Sequence, residues 1–210
     1  MPRIADPRRR RDVVDAVIEQ LARTGIGNFS LRALAEGLGQ STRVLTHHFA
    51  DKEALVTAVL ERLDEQQHQA LRTTPGWDDP SVPVSTIVKA TWERNLGPQE
   101  LAATRLIREI EGLAAADRLS HPIPGFVRGR AEFVASCLVA RGMQRDAALV
   151  KATMLNAAFS GLETDYLMTG DRERTETALD DLCAWIDASV GAQRTGDGAE
   201  GRDRDAREDR

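Results

Sequence analysis

A short stretch between Ser41 and Lys52 gathers side chains that suit the recognition of a polyanion. It offers hydroxyl, guanidinium, imidazole and ammonium groups, which donate hydrogen bonds to phosphates or to base edges. An arginine near a helix start reaches guanine O6 and N7, so Arg43 is the candidate for base recognition, a contact that contributes about 1–3 kcal/mol of discrimination. Ser41 and Lys52 suit phosphate contacts. The candidate contacts with double-stranded DNA are Arg32, Ser41, Thr42, Arg43, Val44, Thr46, His47, His48 and Lys52.

Two short helices around a glycine turn must hold these side chains in place. The first helix follows Ser30, a residue type that favours the N-cap position, and repeats apolar residues at helical spacing. Gly39 ends it, and a second helix of about residues 42–48 follows. The pattern predicts a helix-turn-helix motif at about residues 30–49, whose second helix lies in the DNA major groove. The inner face of the motif consists of Leu34, Leu38, Leu45 and Phe49.

Helical periodicity continues through the rest of the chain, so the predicted fold class is all-α. A first helix of about residues 9–23 precedes the motif, and a fourth follows Asp51. Pro, Gly and Asp dominate residues 73–83, which predicts a domain boundary there. Five further helices are expected at residues 84–96, 99–115, 124–140, 145–168 and 172–190. The only apolar residues in 191–210 are alanines, so this tail is expected to be disordered.

Charge is distributed unevenly along the chain, whose net charge is −5. Residues 1–52 contain nine basic and six acidic side chains, whereas the remainder contains 19 basic and 27 acidic ones. A basic segment on an acidic protein is expected where only that segment meets a polyanion. The run Arg8–Arg11 has two open interpretations, an arm in the minor groove or a mobile, solvated terminus.

Several other classes of protein are disfavoured. No apolar stretch approaches the roughly 18 residues of a membrane span and no signal peptide is recognisable, so we expect a cytoplasmic protein without membrane contact. Aromatic residues make up 4%, which argues against a surface that stacks single-stranded bases. Cys137 and Cys183 are expected to be reduced core thiols, and no spacing of ligands indicates a metal or another cofactor. No phosphate-binding glycine loop, HExxH or nucleophile elbow indicates an enzyme.

The segment from Phe29 to Leu55 resembles the DNA-binding region of the TetR/AcrR family of bacterial repressors. Thr46 and His48 stand where that family usually has tyrosine, and Ala50 stands where it often has proline. The positions that match the family pattern are Gly39, Ser41, Leu45, His47, Phe49, Lys52, Glu53 and Leu55.

The resemblance implies a helix-turn-helix domain at residues 1–72 and a ligand-binding and dimerisation domain at 73–190. Helices five to seven would enclose a small-molecule pocket, for which the candidate walls are Trp92, Phe126, Phe133 and Met154. Each of these side chains is also compatible with an ordinary core position. The implied function is that of a repressor released from a palindromic operator by an unidentified small-molecule effector. The alternatives are a DNA-binding regulator without an effector and, less favoured, a helical-bundle enzyme.

The last two helices would pair with those of a second copy in a four-helix bundle. The residues themselves support this arrangement, because the eighth helix alternates steps of four and three along a seam and is apolar nearly all round. Such a helix needs partners on both sides, so a homodimer is expected. The candidate interface residues are Leu155, Phe159, Leu162, Tyr166, Leu179, Leu182, Trp185 and Ile186.

Overall fold

A computed structural model of the chain describes residues 7–27, 29–119 and 124–208. Within these ranges every regular element is an α-helix, which confirms the predicted fold class. The helices are α1 (Pro7–Thr24), α2 (Leu31–Gly37), α3 (Thr42–His48), α4 (Lys52–Arg72), α5 (Val84–Leu96), α6 (Leu101–Ala115), α7 (Pro124–Ala140), α8 (Arg145–Thr169) and α9 (Arg172–Glu208).

Local hydrogen bonds set where the helices of the motif begin and end. The Ser30 hydroxyl accepts a hydrogen bond from the Ala33 backbone N–H at 3.1 Å and so caps α2. The Asp51 carboxylate accepts one from the Ala54 N–H at 2.8 Å and caps α4. Gly39 has a φ of +64°, in the left-handed region that favours glycine, and this turn redirects the chain from α2 into α3.

The described residues form two compact units. The first unit comprises residues up to Gln67 together with Asn95–Phe126. Its core joins apolar faces of α1, α2, α3 and α4 with one face of α6, on which Leu106, Ile107 and Ile110 are buried. The helix-turn-helix therefore rests on a scaffold that includes a helix from much later in the chain. The functional division at residues 72 and 73 stays a prediction.

The second unit comprises His68–Arg94 and the described residues from Val127 onward. Within it α8 and α9 pack against each other, and Arg174 pairs with Asp165 at 2.7 Å beside the turn that joins them. Lys89 of α5 pairs with Asp180 of α9 at 2.7 Å. These exposed pairs add little to the free energy of unfolding, so burial of apolar side chains supplies most of the stability.

A buried arginine holds the segment between α4 and α5. Arg141 is only 4% exposed, and its guanidinium donates hydrogen bonds to backbone carbonyls on that segment and on α7. The accepting carbonyls belong to Gly76, Trp77, Asp79, Val82 and Cys137. A buried guanidinium needs such partners because desolvation without them is costly. The Pro- and Gly-rich segment is thus fixed in place.

The backbone of α9 is helical to Glu208, whereas the sequence predicted a disordered tail from residue 191. Once a helix is formed, each further residue adds one hydrogen bond without a new nucleation step, so poor helix formers can continue it.

None of the helices within the described ranges combines the length and the apolar character needed to cross a bilayer.

Candidate nucleic-acid interface

The inner face of the helix-turn-helix is formed as the apolar pattern predicts. Leu34, Leu45 and Phe49 are 3%, 0% and 2% exposed, and Leu38 packs against the same core while partly buried. Because these side chains fill the space between α2 and α3, the polar side chains of α3 are left on the opposite face. The core thereby fixes which residues of α3 can meet a ligand.

The outer face of α3 forms one side of an open groove, and α1 forms the other. Ser41, Arg43, Val44, His47 and His48 line the groove together. These are five of the nine candidate DNA contacts. The remaining lining residues are Arg9, Asp12 and Val13 of α1 and Gln40 of the turn.

The other candidate contacts lie outside this groove. Arg32 pairs with Glu36 on α2 at 3.0 Å, and both side chains are exposed. The Lys52 ammonium lies 4.4 Å from the centroid of the Phe29 ring, a cation–π contact. The Thr46 hydroxyl donates to backbone carbonyls of its own helix, the nearer being that of Thr42 at 3.2 Å. Thr42 is exposed at the start of α3. Exposed pairs of this kind cost little to break, so Arg32 and Lys52 stay available to phosphates.

The arginine run at the start of the chain is helical, and its contact with the minor groove stays a prediction. Arg8–Arg11 belong to α1, which begins at Pro7. Arg11 pairs with Glu65 at 3.1 Å, the Arg10 guanidinium lies 5.3 Å from the Phe49 ring centroid, and Arg9 lines the groove. The sequence predicted a helix from about residue 9 but did not show which arginine of the run faces α3. Pro7, a residue favoured in the first helical turn, indicates that the whole run lies inside the helix.

Two hydrogen-bonded contacts fix α1, and hence one wall of the groove. Arg62 of α4 donates to both carboxylate oxygens of Asp15, at 2.7 and 2.9 Å. These bonds raise the pKa of Arg62 above its ordinary value. The Glu109 carboxylate of α6 accepts hydrogen bonds from the backbone N–H groups of Ile26 and Gly27 in the turn after α1. Bidentate and charge-assisted bonds of this kind are among the stronger ones in proteins.

The environment of His48 in the groove shifts its acid–base equilibrium. Burial, followed by the nearby charges of His47, Arg10 and Arg9, lowers the pKa of His48 below its ordinary value. Its Nδ1 atom is excluded from solvent and has no hydrogen-bond partner in the described part of the chain. Both effects favour the neutral form of the imidazole in the free protein.

The four candidate pocket walls have different surroundings. Phe126 packs in the core of the first unit at 8% exposure, and Met154 is 50% exposed on α8. Trp92 is buried in the second unit, where its ring contacts those of Phe159 and Tyr166. Phe133 instead stacks on His68 and Trp77, with centroids 4.0 and 4.7 Å away. Helical spacing predicts that an aromatic residue is buried, but it does not predict which side chains or cavity its ring contacts.

Three of the eight candidate interface residues are buried within a single chain. Leu155, Leu179 and Ile186 are 4%, 3% and 0% exposed, so they have little surface left for a second copy. The other five are partly buried and stay candidates for the interface, namely Phe159, Leu162, Tyr166, Leu182 and Trp185. The large apolar side chains that remain exposed on α8 are Val150, Met154 and Met168, at 59%, 50% and 76%.

Small residues accompany these exposed side chains. Ala157, Ala158 and Gly161 of α8 are exposed, and so are Ala178, Ala184 and Ala188 of α9. We call this set, with Val150 and Met154, the α8–α9 face. The sequence indicates that α8 has an apolar face beyond the seam, because the helix is apolar on nearly all sides.

Among the described residues no group of three or more His, Cys, Asp or Glu side chains is arranged to hold a metal ion.

The chain is similar in sequence to bacterial regulators. The family model described as bacterial regulatory proteins, tetR family, matches residues 13–59. The HTH-type transcriptional regulator BetI of Paraburkholderia xenovorans is 26% identical over 184 residues, which cover 85% of this chain and 92% of that protein. BetI of Klebsiella pneumoniae is 29% identical over 72 residues, and there the match spans 37% of the relative's length.

Solved structures with a similar fold include a multidrug binding protein and a member of the TetR family. The multidrug binding protein EbrR complexed with imidazole is 27% identical with a TM-score of 0.67, and the match covers 89% of this chain and 94% of that one. EbrR complexed with ethidium is 26% identical with a TM-score of 0.65, over 82% and 98% of the two chains. A TetR-family member from Streptomyces coelicolor A3 is 25% identical with a TM-score of 0.69, over 86% and 99%.

Proposed function

Because the chain belongs to the TetR family of bacterial transcriptional regulators, we propose that it is a dimeric repressor released from a palindromic operator by a small-molecule effector. Membership of the family, which confirms the resemblance seen in the sequence, makes the chain a DNA-binding regulator and not an enzyme. Repression, dimerisation and release by an effector are the proposed part. The site of action is the cytoplasm, where bacterial DNA lies.

The groove between α1 and α3 is the observation that carries the proposal. It combines the guanidinium groups of Arg9 and Arg43 with the hydroxyl of Ser41 on one exposed surface. In the proposed complex α3 enters the major groove, and Arg43 donates to guanine O6 and N7. Arg9, Ser41 and Lys52 bind phosphates, and so set the register of α3 without reading the sequence.

A second copy of this chain is the proposed partner on the α8–α9 face. Val150 and Met154 supply apolar area, and small residues such as Gly161 and Ala184 let two helices approach closely. A two-fold axis through this face would present two copies of α3. For a palindrome the two must lie about 34–36 Å apart, one turn of DNA.

The effector is proposed to bind among the aromatic side chains of the second unit. EbrR, whose structures hold imidazole and ethidium, supports a small-molecule site in this fold. Trp92, with the rings of Phe159 and Tyr166 against it, and Phe133 are the candidate contacts. A coupling free energy of about 1–3 kcal/mol between effector and operator would change operator affinity by one to two orders of magnitude.

Duplex binding and mass measured together test this function. Fluorescence anisotropy with a labelled duplex at low ionic strength is expected to show binding that weakens as salt is added. Sedimentation velocity is expected to show a dimer. A thermal-shift screen of metabolites is expected to find a compound that raises the melting temperature and releases the duplex. A monomeric protein that binds no duplex would refute the proposal. A dimer that binds DNA but is released by no compound would refute only the proposed regulation by an effector.

A further inference from the structure

His47 and His48 place two adjacent imidazoles in the groove between α1 and α3. Their ring centroids are 5.2 Å apart and the rings meet edge to face at 71°. His48 also lies 6.2 Å from the ring centroid of Phe49, which is part of the buried inner face. The pair is therefore held at a fixed position beside the surface where a duplex would lie.

Charged groups from both walls face this pair. From α1 these are Arg9, Arg10 and Asp12, and from α3 the group is Arg43. The turn contributes only the uncharged Gln40 and Ser41. The positive groups outnumber the single carboxylate, so the free protein disfavours a further positive charge on the imidazoles. The downward shift of the pKa of His48 has this cause in addition to burial.

A bound duplex would reverse this balance. Its phosphates offset the arginine charges, and an anion within about 4–6 Å of an imidazole favours the protonated form. The opposing effect, further loss of solvent on binding, is confined to the part of the His48 ring that is still exposed, because its Nδ1 atom is already excluded from solvent in the free protein. The net result is a higher affinity for the proton in the complex than in the free protein.

We propose that His48, in this groove, takes up a proton when a duplex binds, so that affinity for DNA rises as the pH falls. The inference rests on the proposed function, in which α3 enters a DNA groove. Affinity is lowest where His48 is neutral in both states, rises through the pH window between its free and its bound pKa values, and levels off below both.

The test measures duplex affinity as a function of pH in the full chain. The probe is a labelled duplex of fixed arbitrary sequence about four helical turns long, because phosphate contacts do not depend on sequence. Ionic strength stays low and constant while the pH falls from about 8 to about 5.5, the range in which histidine titrates. A rise of one pKa unit on binding makes binding about tenfold tighter per subunit, so the parent dimer is expected to bind up to about 100-fold more tightly at the acid end.

A double variant and a matched histidine variant separate the proposal from general acid effects. His47→Asn with His48→Asn removes both titrating rings and is expected to leave less than about a twofold pH dependence. His68→Asn, in the second unit, makes the same chemical change away from the groove and is expected to behave as the parent does. A pH-independent parent, or a double variant that keeps the parent's dependence, would overturn the proposal while leaving the proposed function intact. If the parent binds no duplex at any pH, both fail.

A direct titration keeps the proposal testable if the double variant does not fold. Nuclear magnetic resonance of the parent's imidazole protons yields the pKa of His48 with and without the duplex. The proposal expects this pKa to rise on binding. An unchanged or lower value would overturn it.

Discussion

The Glu109 carboxylate lies with both of its oxygens 3.0 Å from the backbone nitrogen of Ile26, a residue 83 positions earlier in the chain. One of these oxygens, Oε1, also accepts a hydrogen bond from the backbone N–H of Gly27 at 2.9 Å. Gly25, at a φ of +79°, completes the turn, and a Cβ atom there would stand 3.3 Å from the same carboxylate. One side chain of α6 therefore fixes the turn that joins α1 to the helix-turn-helix.

Replacing this carboxylate tests its role in stability. Glu109→Gln removes the charge and turns one acceptor oxygen into a donor that faces backbone N–H groups. Since hydrogen bonds to charged groups contribute about 1.5–3 kcal/mol, the free energy of unfolding should fall by about that amount. Glu61→Gln, an exposed carboxylate on α4, makes the matched control and should change little. Urea unfolding followed by circular dichroism measures both, and equal midpoints for the two variants would contradict the role assigned to Glu109.

Arg9 and Arg11 provide a matched pair for the groove. They lie on the same helix, but Arg9 lines the groove whereas Arg11 is paired with Glu65. Arg9→Ala should weaken binding to all duplexes and reduce the slope of log affinity against log salt by about two for the dimer, because one phosphate contact is lost in each of its two subunits. Arg11→Ala should leave the slope nearly unchanged. Anisotropy titrations across a range of salt concentrations decide this, and identical slopes for parent and Arg9→Ala would remove Arg9 from the interface.

The α8–α9 face is tested by a charge placed within it. Met154→Glu would bury two carboxylates across a two-fold interface, at a cost of roughly 3 kcal/mol or more, so dimer dissociation should become at least about 100-fold easier. Val127→Glu introduces the same charge at a 55% exposed position on α7 and should leave the dimer intact. Sedimentation velocity over a range of concentrations measures the change. If the Met154→Glu protein has the same dimer dissociation constant as the parent, the α8–α9 face is not the dimer interface.

Much of the fold could be predicted because its signals are local. Ser30, Gly39 and Asp51 mark helix ends through their own hydrogen bonds or backbone angles, so α3 has the bounds that the pattern predicted. The inner face of the motif follows from helical spacing alone, and Leu45 is fully buried as expected.

The remainder depends on which helix covers which face, and periodicity does not contain that information. Phe126 has the spacing of a buried residue, and only the structure shows that it packs in the core of the first unit. The seam through Leu155 was expected to face a second copy, and contacts within the chain bury it. Arg141 gave no signal, because the carbonyls that hold it come from a segment whose path the sequence does not reveal.

Selection of duplexes from a random library, followed by affinity measurements on the enriched sequence, tests most directly whether the outer face of α3 reads DNA. We predict enrichment of a palindrome whose half-sites lie one helical turn apart. Arg43→Ala should lose about 1–3 kcal/mol of preference for that sequence, whereas Arg23→Ala, the same change at an exposed position near the end of α1, should keep it. Failure to enrich any sequence, or an Arg43→Ala protein with the parent's preference, would contradict the account.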